Sequence, residues 1–543
     1  MESHSLSRRN FIKSAGSSLL GALALPSLGG GAPWARAFDE IENSALDPIS
    51  RVPWGYPSST EFNGDLPDFP HALFWDKWNT LNQLGGIPTP TERVPLLIIG
   101  GGVSGLLAAW SLRDEHPLVL EQARGLGGNA KGEQWGKLKY SIGSAYLSEP
   151  TPGDEVDLLL RELEIRDEFR SESSSSSRIL LNGKLSSELW SGAPHVLRRF
   201  MELGQKDYPS IPFELGKGLD FDRWKQWDAL SFEQWLNKEF GPLPELIHEY
   251  LTLYCWSSFG MELSEVSATQ ALNFLTSDLK GVIAAPGGNA VIAQSLIRKL
   301  REQGVMFRSD SLVADIQVKD DGVDICVMTA NRSLRTIRAE RCIVAAPKYM
   351  ARMMIDELPR AQSEAMGRMG YRAYLVANVL LNQRVHSPSY ELFRLEAHKT
   401  GNPQEETRER PFTDLCFAGW AASDSISQSA LTIYKAMPFE GARHFLFSNF
   451  AHQKYKNQIE RGVPEVLAQL GIQESSIAGI RMTRWGHAIP AASRGFLSEG
   501  TSDQVAAPFR GKVFFANQDN YANPSFESAF AAARSAVAAL RLG

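Results

Sequence analysis

Residues 95–129 read PLLIIGGGVSGLLAAWSLRDEHPLVLEQARGLGGN, and no other stretch constrains the chain as much. Leu96–Ile99 is an apolar run that predicts a short buried strand. Gly100, Gly102 and Gly105 follow in G-x-G-x-x-G order, and Val103–Arg113 has helical composition. Leu118–Leu120 predicts a second strand, closed by Glu121. Strand, glycine turn, helix and acid-tipped strand together form a dinucleotide-binding unit. Gly100 makes the tight turn, and Gly102 leaves backbone open to a pyrophosphate. Gly105 lets the helix lie against the strand and aim its free N–H groups at the phosphates. Glu121, nineteen residues after Gly102, is placed to accept hydrogen bonds from ribose hydroxyls.

Arg124 and the pair Gly127-Gly128 extend the motif to E-x5-GG, a second length of open backbone, with Asn129 next to it. This extended form resembles the flavin-binding signature of the amine oxidase and phytoene desaturase superfamily, which implies FAD rather than NAD. With 543 residues, the chain has room for about two to four domains and an ample core. Its hydrophobic content of 43% and charged content of 22% are ordinary for a globular protein. A net charge of −6, without any basic run beyond the N-terminus, excludes nucleic acid as an expected partner.

The first 37 residues have a different character. Ser7–Lys13 reads SRRNFIK, which matches the twin-arginine export motif, and an apolar small-residue run from Phe11 to Leu28 follows. Ala35-Arg36-Ala37 supplies an A-x-A cleavage site, and after Glu2 no acid occurs until Asp39. The run is too short and too rich in Gly and Ser for a good spanning helix, so a removable signal is expected rather than an anchor or a tail. Twin-arginine export carries folded proteins, which suits a cofactor loaded in the cytoplasm. The mature chain is expected to begin near Phe38 and to work in a bacterial periplasm. Cys255, Cys326, Cys342 and Cys416 are scattered in apolar surroundings and predict buried thiols; no metal site is evident.

The expected fold class is α/β, or α+β in two domains. A Rossmann-like FAD-binding domain is assembled from three chain segments, with a mixed-sheet and helical substrate domain inserted between them. The expected boundaries are 1–37 for the signal and 38–90 for an irregular arm. The nucleotide domain takes 91–150, 281–347 and 509–543, and the substrate domain takes 151–280 and 348–508. Tyr140–Leu147 predicts a Gly/Ser turn near the cofactor, and 171–177 and 396–411 predict polar loops. Ser231 and Gln234 fit a capping box opening an aromatic-rich helical region to Thr276. SLVADIQV, VDICVMT, LRTIRA and Cys342–Ala346 predict successive strands.

Nearly all of the mature chain resembles the flavin-containing amine oxidases, and within them bacterial spermidine dehydrogenase and its relatives. The likeness rests on GGNAKGEQW (127–135), YCWSSFGMELSEVSA (254–268), MGYRAYLVANVLLN (369–382), RWGHAIPAA (484–492) and the C-terminal FANQDNYANPSFESAFAAARSAVAAL. It implies that Gly100, Gly102 and Gly105 face the pyrophosphate, Glu121 the adenosine ribose, and Gly127 and Gly128 the ribityl and flavin end. It also implies that Val313 presents backbone to the adenine, and that Asn517, Gln518 and Asp519 form the late FAD turn. Glu527, Ser528 and Ala529 would open a last helix whose N-terminus faces the flavin. Two departures stand out. No lysine occurs between Tyr349 and His398, where many amine oxidases keep one beside the flavin, and Ser525 occupies the expected late aromatic position. Phe526, Tyr521 and Trp485 are candidates to replace that aromatic, and His487 is a candidate for the substrate side, though a lone histidine is more often structural.

The resemblance implies hydride transfer from a polyamine-like amine to flavin N5, with hydrolysis of the resulting imine. The electron acceptor would be oxygen, a quinone or a cytochrome, and the twin-arginine translocase a transient partner. Two alternatives remain open: oxidation of a non-amine such as a carotenoid or porphyrinogen, marked by a greasy tunnel without acids, and a non-catalytic flavin protein.

Overall fold

The computed structural model describes residues 61–542 apart from 66–67, 173–177, 207, 209–220, 388, 397–404 and 406–408. The expected signal at 1–37, and most of the polar loops 171–177 and 396–411, lie outside the described residues. From residue 61 the expected irregular arm holds a short strand, Asn63–Gly64, and two short helices, Asp68–Phe74 and Lys77–Gln83.

Strand β1 (Glu92–Ile99) leads through the glycine turn into helix α1 (Val103–Ser111), and β2 (Leu118–Leu120) follows. A hairpin, Gly132–Trp135 with Leu138–Ser141, leaves the unit. The aromatic region is three helices: Phe232–Phe240, α2 (Glu245–Phe259) and α3 (Ala268–Asp278). Ser231 and Gln234 cap the first of them reciprocally, as the sequence predicts. Helix α4 (Ala290–Glu302) then leads back to β3 (Met306–Arg308), β4 (Ser311–Lys319), β5 (Gly322–Thr329) and β6 (Leu334–Val344). LRTIRA and the run from Cys342, expected as separate strands, are one. Their alternation continues unbroken, so the first half of β6 pairs antiparallel with β5 while the second half runs parallel with β1.

The remaining chain supplies β7 (Tyr371–Leu381), β8 (Glu391–Leu395), β9 (Asp414–Phe417), β10 (Ser429–Ala436), helix α5 (Ala451–Gln469), β11 (Ile477–Pro490), β12 (Val513–Phe515) and α6 (Phe526–Leu542). Two sheets organise the whole. In the first, β3, β2, β1, β6 and β12 run parallel, in register Ile98 with Val119 and Ile343 with Phe514. Its strands come from three separated stretches of chain. Those around the turn read as continuous apolar runs because both faces are covered: Leu96, Leu97 and Ile98 have no exposed surface. Helices α4 and α6 flank α1.

The second sheet is mixed, with β11, β7, β10, β9 and β8 adjacent in that order. Alternation gives it two unlike faces. Leu375, Ala377, Val379, Leu415, Leu431, Ile433 and Met482 form one face, packed with Ile459, Val463 and Val466 of α5 into a dry core. The other face carries Glu391, Asp414, Thr432, Tyr434, Tyr374, Asn378, Arg481 and Trp485, cross-strand neighbours by register. Helix α2 lies against β8 and β10. The polar face is where side-chain chemistry accumulates.

Candidate functional site

The glycine turn has the geometry its residues predict. Gly100 stands at φ +107°, donates its N–H to the Leu120 carbonyl at 2.8 Å, and leaves β1 in a direction that side-chain-bearing residues rarely adopt. A Cβ on Gly105 would lie 1.9 Å from the Gly100 carbonyl oxygen, so only a hydrogen there allows α1 to touch the turn. Gly102, by contrast, faces open space; the nearest atom to a Cβ there is the Gly128 Cα at 3.6 Å. The second glycine pair lies directly beside the first, with the Gly127 N–H donating to the Gly101 carbonyl at 2.8 Å. No side chain caps α1 at Gly102, so the positive end of the helix opens onto this bare backbone.

Glu121 is buried at the end of β2, and its carboxylate fixes the loops it joins. It accepts from the Gly101 N–H and the Ala123 N–H, both at 2.8 Å, one on each oxygen. Each oxygen keeps a second lone pair for a ribose hydroxyl. Val313 is buried on β4 close by; Ser311 at the head of that strand donates its N–H to the Glu121 carbonyl at 2.9 Å. Arg124 is exposed on the loop between Glu121 and Gly127.

From Asn129 the site passes to the second sheet. The Asn129 side chain donates to the Ala488 carbonyl at 3.3 Å, and its own carbonyl accepts from the Ser144 N–H at 2.9 Å. The predicted Gly/Ser turn lies here, held by one donor after another from the polar face. Asn378 donates to the Ser141 carbonyl at 3.0 Å, Trp485 Nε1 to Ile142 at 2.8 Å, Tyr434 OH to Gly143 at 2.9 Å and Tyr390 OH to Ala145 at 3.1 Å. Asn289, from the turn before α4, donates to Ser144 Oγ and the Tyr146 carbonyl. Trp485 is therefore a positioning residue with its N–H engaged, not the free aromatic wall that the sequence made it a candidate for.

The late residues divide. Asn517 donates to the Ala345 carbonyl at 3.0 Å, beside the backbone that a Cβ on Gly100 would strike, so it belongs to the glycine turn. Asp519 instead turns inward and accepts from the Lys348 N–H at 2.9 Å and Tyr371 OH at 2.5 Å. In α6, the Ser528 N–H is taken by Ser525 Oγ and the Ala529 N–H by the Ser525 carbonyl, so these two donors are spent within the protein. Glu527 accepts from the Ser148 N–H at 2.9 Å, and burial pushes its carboxyl up to about 7. His487 stacks on Tyr349 with ring centroids 4.3 Å apart and touches Arg443. Burial and that guanidinium hold its imidazole down at about 3, so it is a neutral ring in an aromatic cluster.

Two groups escaped sequence reasoning. Lys348 lies one residue before the interval that lacks lysine; it is fully buried, its Nζ 5.2 Å from the Phe515 ring centroid. That Nζ has no hydrogen-bond partner among the described residues, and burial lowers it to about 8. The second group is a set of carboxyls on and beside the polar face. Asp278 at the end of α3 accepts from Tyr254 OH at 2.7 Å, Asp414 is buried on β9, and Glu391 is half-buried on β8. Burial raises all three, Asp278 and Asp414 to about 7. Tyr146, Ser257, Ser258, Asp278, Glu391 and Tyr434 keep accessible surface although most neighbours along their elements are sealed, so they front an interior void. A polar residue at every second position of an otherwise apolar strand is the signal that marks them in the sequence.

The bare turn, the uncapped helix and Glu121 fit a dinucleotide, and the comparisons agree. Residues 96–371 match a family described as FAD dependent oxidoreductase. The chain is 24% identical over 521 residues to the oxidoreductase PigB of a Serratia species, covering 82% of this chain and 76% of that protein. It superposes on wild-type putrescine oxidase bound to putrescine with a TM-score of 0.61 and 15% identity, over 84% of this chain and 100% of the other. Cyclohexylamine oxidase from Brevibacterium oxydans gives a TM-score of 0.59 and 16% identity, over 82% and 98%. The fold is that of these flavin amine oxidases.

Proposed function

We propose that this chain, which belongs to the FAD-dependent oxidoreductase family, oxidises an amine. The cofactor is FAD, which when bound supplies the two-electron acceptor for a hydride leaving the substrate carbon. The chain's own residues supply position and charge. Gly100, Gly102, Gly105, Gly127 and Gly128 would carry the pyrophosphate, Glu121 the ribose, and Asn129 with the clamped turn Ser141–Ala145 the far end of the cofactor.

The observation that carries the amine reading is the charge of the void. Asp278, Glu391 and Asp414 gather there, and the groups acting on them are one another, Glu172, Glu527, Tyr254 and Ser257, with no Lys, Arg or His. A neutral carotenoid or porphyrinogen gains nothing from such a lining, whereas a substrate that arrives protonated does. At the reacting carbon the nitrogen must be neutral, and an aromatic surround lowers an amine's pKa toward that form. Water then hydrolyses the imine to a carbonyl and an amine. Export belongs to the same reading: SRRNFIK would route the folded flavoprotein to the periplasm, where oxygen, a quinone or a cytochrome takes its electrons.

Anaerobic stopped-flow mixing of the yellow holoenzyme with an amine panel tests the chemistry. Bleaching of the flavin by at least one amine is expected; a flavin untouched by the whole panel rejects the reading. Replacing Arg8 and Arg9 by lysine should strand the protein in the cytoplasm if the export assignment holds.

A further inference from the structure

We propose that Asp414, with Glu391 and Asp278, forms a subsite for a second, non-reacting cationic group of the substrate, so that aliphatic diamines are selected over monoamines. The inference rests on the amine reading above and adds which nitrogen goes where.

Register places the subsite. On β9, Asp414 sits between Phe393 of β8 and Tyr434 of β10, and Glu391 is opposite Cys416, two residues along on the same face. Asp414 is 1% exposed, and neither carboxylate oxygen has a hydrogen-bond donor among the described residues. Strand side chains elsewhere on this face are satisfied: Asn378, Thr432, Tyr434 and Trp485 all find partners. A buried carboxyl with vacant acceptor positions, beside two more and without a cation, is complete only when a positive group arrives. Tyr146 and Tyr434 beside it offer phenol rings suited to holding an ammonium.

The chemistry separates the two nitrogens. Carboxylates beside the reacting nitrogen would stabilise its protonated form, which cannot release hydride from the adjacent carbon. These acids therefore suit a nitrogen that stays charged throughout. The turn from Gly143, against Asn129, to Tyr146, at the void, links the two ends of the site. Three residues of chain reach at most about 10 Å, so the charged and the reacting nitrogen belong to one short molecule.

The test compares hexylamine with 1,6-diaminohexane in anaerobic flavin reduction by wild-type, Asp414→Asn and Glu391→Gln holoenzymes, each checked for flavin content and Tm. The wild type is expected to favour the diamine about 100-fold in kcat/KM, and that ratio should fall about tenfold or more in either variant. A wild type that treats both amines alike, or a ratio that survives both substitutions, overturns the subsite. If Asp414→Asn does not fold, Glu391→Gln carries the same measurement. If no amine reduces the wild-type flavin, the amine reading fails, and the subsite is judged by binding alone. Hexamethonium, a dication that cannot be oxidised here, should perturb the flavin spectrum of the wild type and bind about tenfold or more weakly to Asp414→Asn; no binding, or equal binding, overturns it.

Discussion

At Gly105 a methyl group has no place to go, because the atom it would meet is backbone: the Gly100 carbonyl oxygen, 1.9 Å from a Cβ. Relief requires α1 to move off β1, which carries the helix N-terminus away from the bare turn. Gly105→Ala is therefore expected to purify folded but with little flavin, read as a loss of absorbance near 450 nm that added FAD does not restore. The residue was legible because the glycine spacing encodes a steric demand local to a dozen residues. Lys348 was not, because its burial comes from β12 and the Asp519 turn, about 170 positions away in sequence. Trp485 and His487 show the same limit. Their types announced an aromatic site, but only their neighbours decide that one holds the Ile142 carbonyl and the other stacks on Tyr349.

Among elements, the second sheet is the informative one, since a single strand period serves two purposes. Its apolar face packs α5, while its polar face grips the turn Ser141–Ala145 through one donor per carbonyl. Such groups are costly to leave unpaired, so each clamp residue holds the turn with about 1–3 kcal/mol. Asn378 makes the clearest case, as it donates to Ser141 and accepts from Thr432 Oγ1 at 2.7 Å. Asn378→Ala is expected to cost about 1–3 kcal/mol in denaturant unfolding of the holoenzyme and to speed FAD release on dilution. Unchanged release would mean the turn does not support the cofactor. Individual strands such as β7 were readable as strands, but the face each side chain takes depends on pairing register, which no single strand contains.

For the molecule as a whole, the interior acids set a pH dependence. Asp278 ordinarily titrates at 3.8, and burial raises it to about 7 in the fold. The folded state thus holds a proton that the unfolded chain has given up, so the contribution of this group is complete below about pH 4 and is lost as pH rises through about 7. The holoenzyme without substrate should lose thermal stability across that window, and Asp278→Asn should flatten the decline; an unaltered slope would show that Asp278 is ionised throughout. Other interior charges are matched. Glu133 accepts from Arg481 at 2.5 and 2.7 Å, from Tyr140 OH at 2.7 Å and from Asn63 at 2.9 Å, tying the hairpin, β11 and the first described strand together. Lys77 pairs with Asp315 at 2.7 Å, fastening the short helix Lys77–Gln83 to β4.

By itself the sequence determined the cofactor unit, because a tight turn, a close helix and an acid at a fixed offset are demands met within one continuous stretch. It also determined the capping box, the buried thiols and the strands whose apolar runs mark a sheet covered on both faces. Only the tertiary structure decided which carboxyls share a void, which tyrosines hold a turn, and that Asp519 and Ser528 spend their hydrogen-bonding groups internally. Charge compensation and donor matching are properties of pairs, and here the partners stand tens to hundreds of residues apart along the chain.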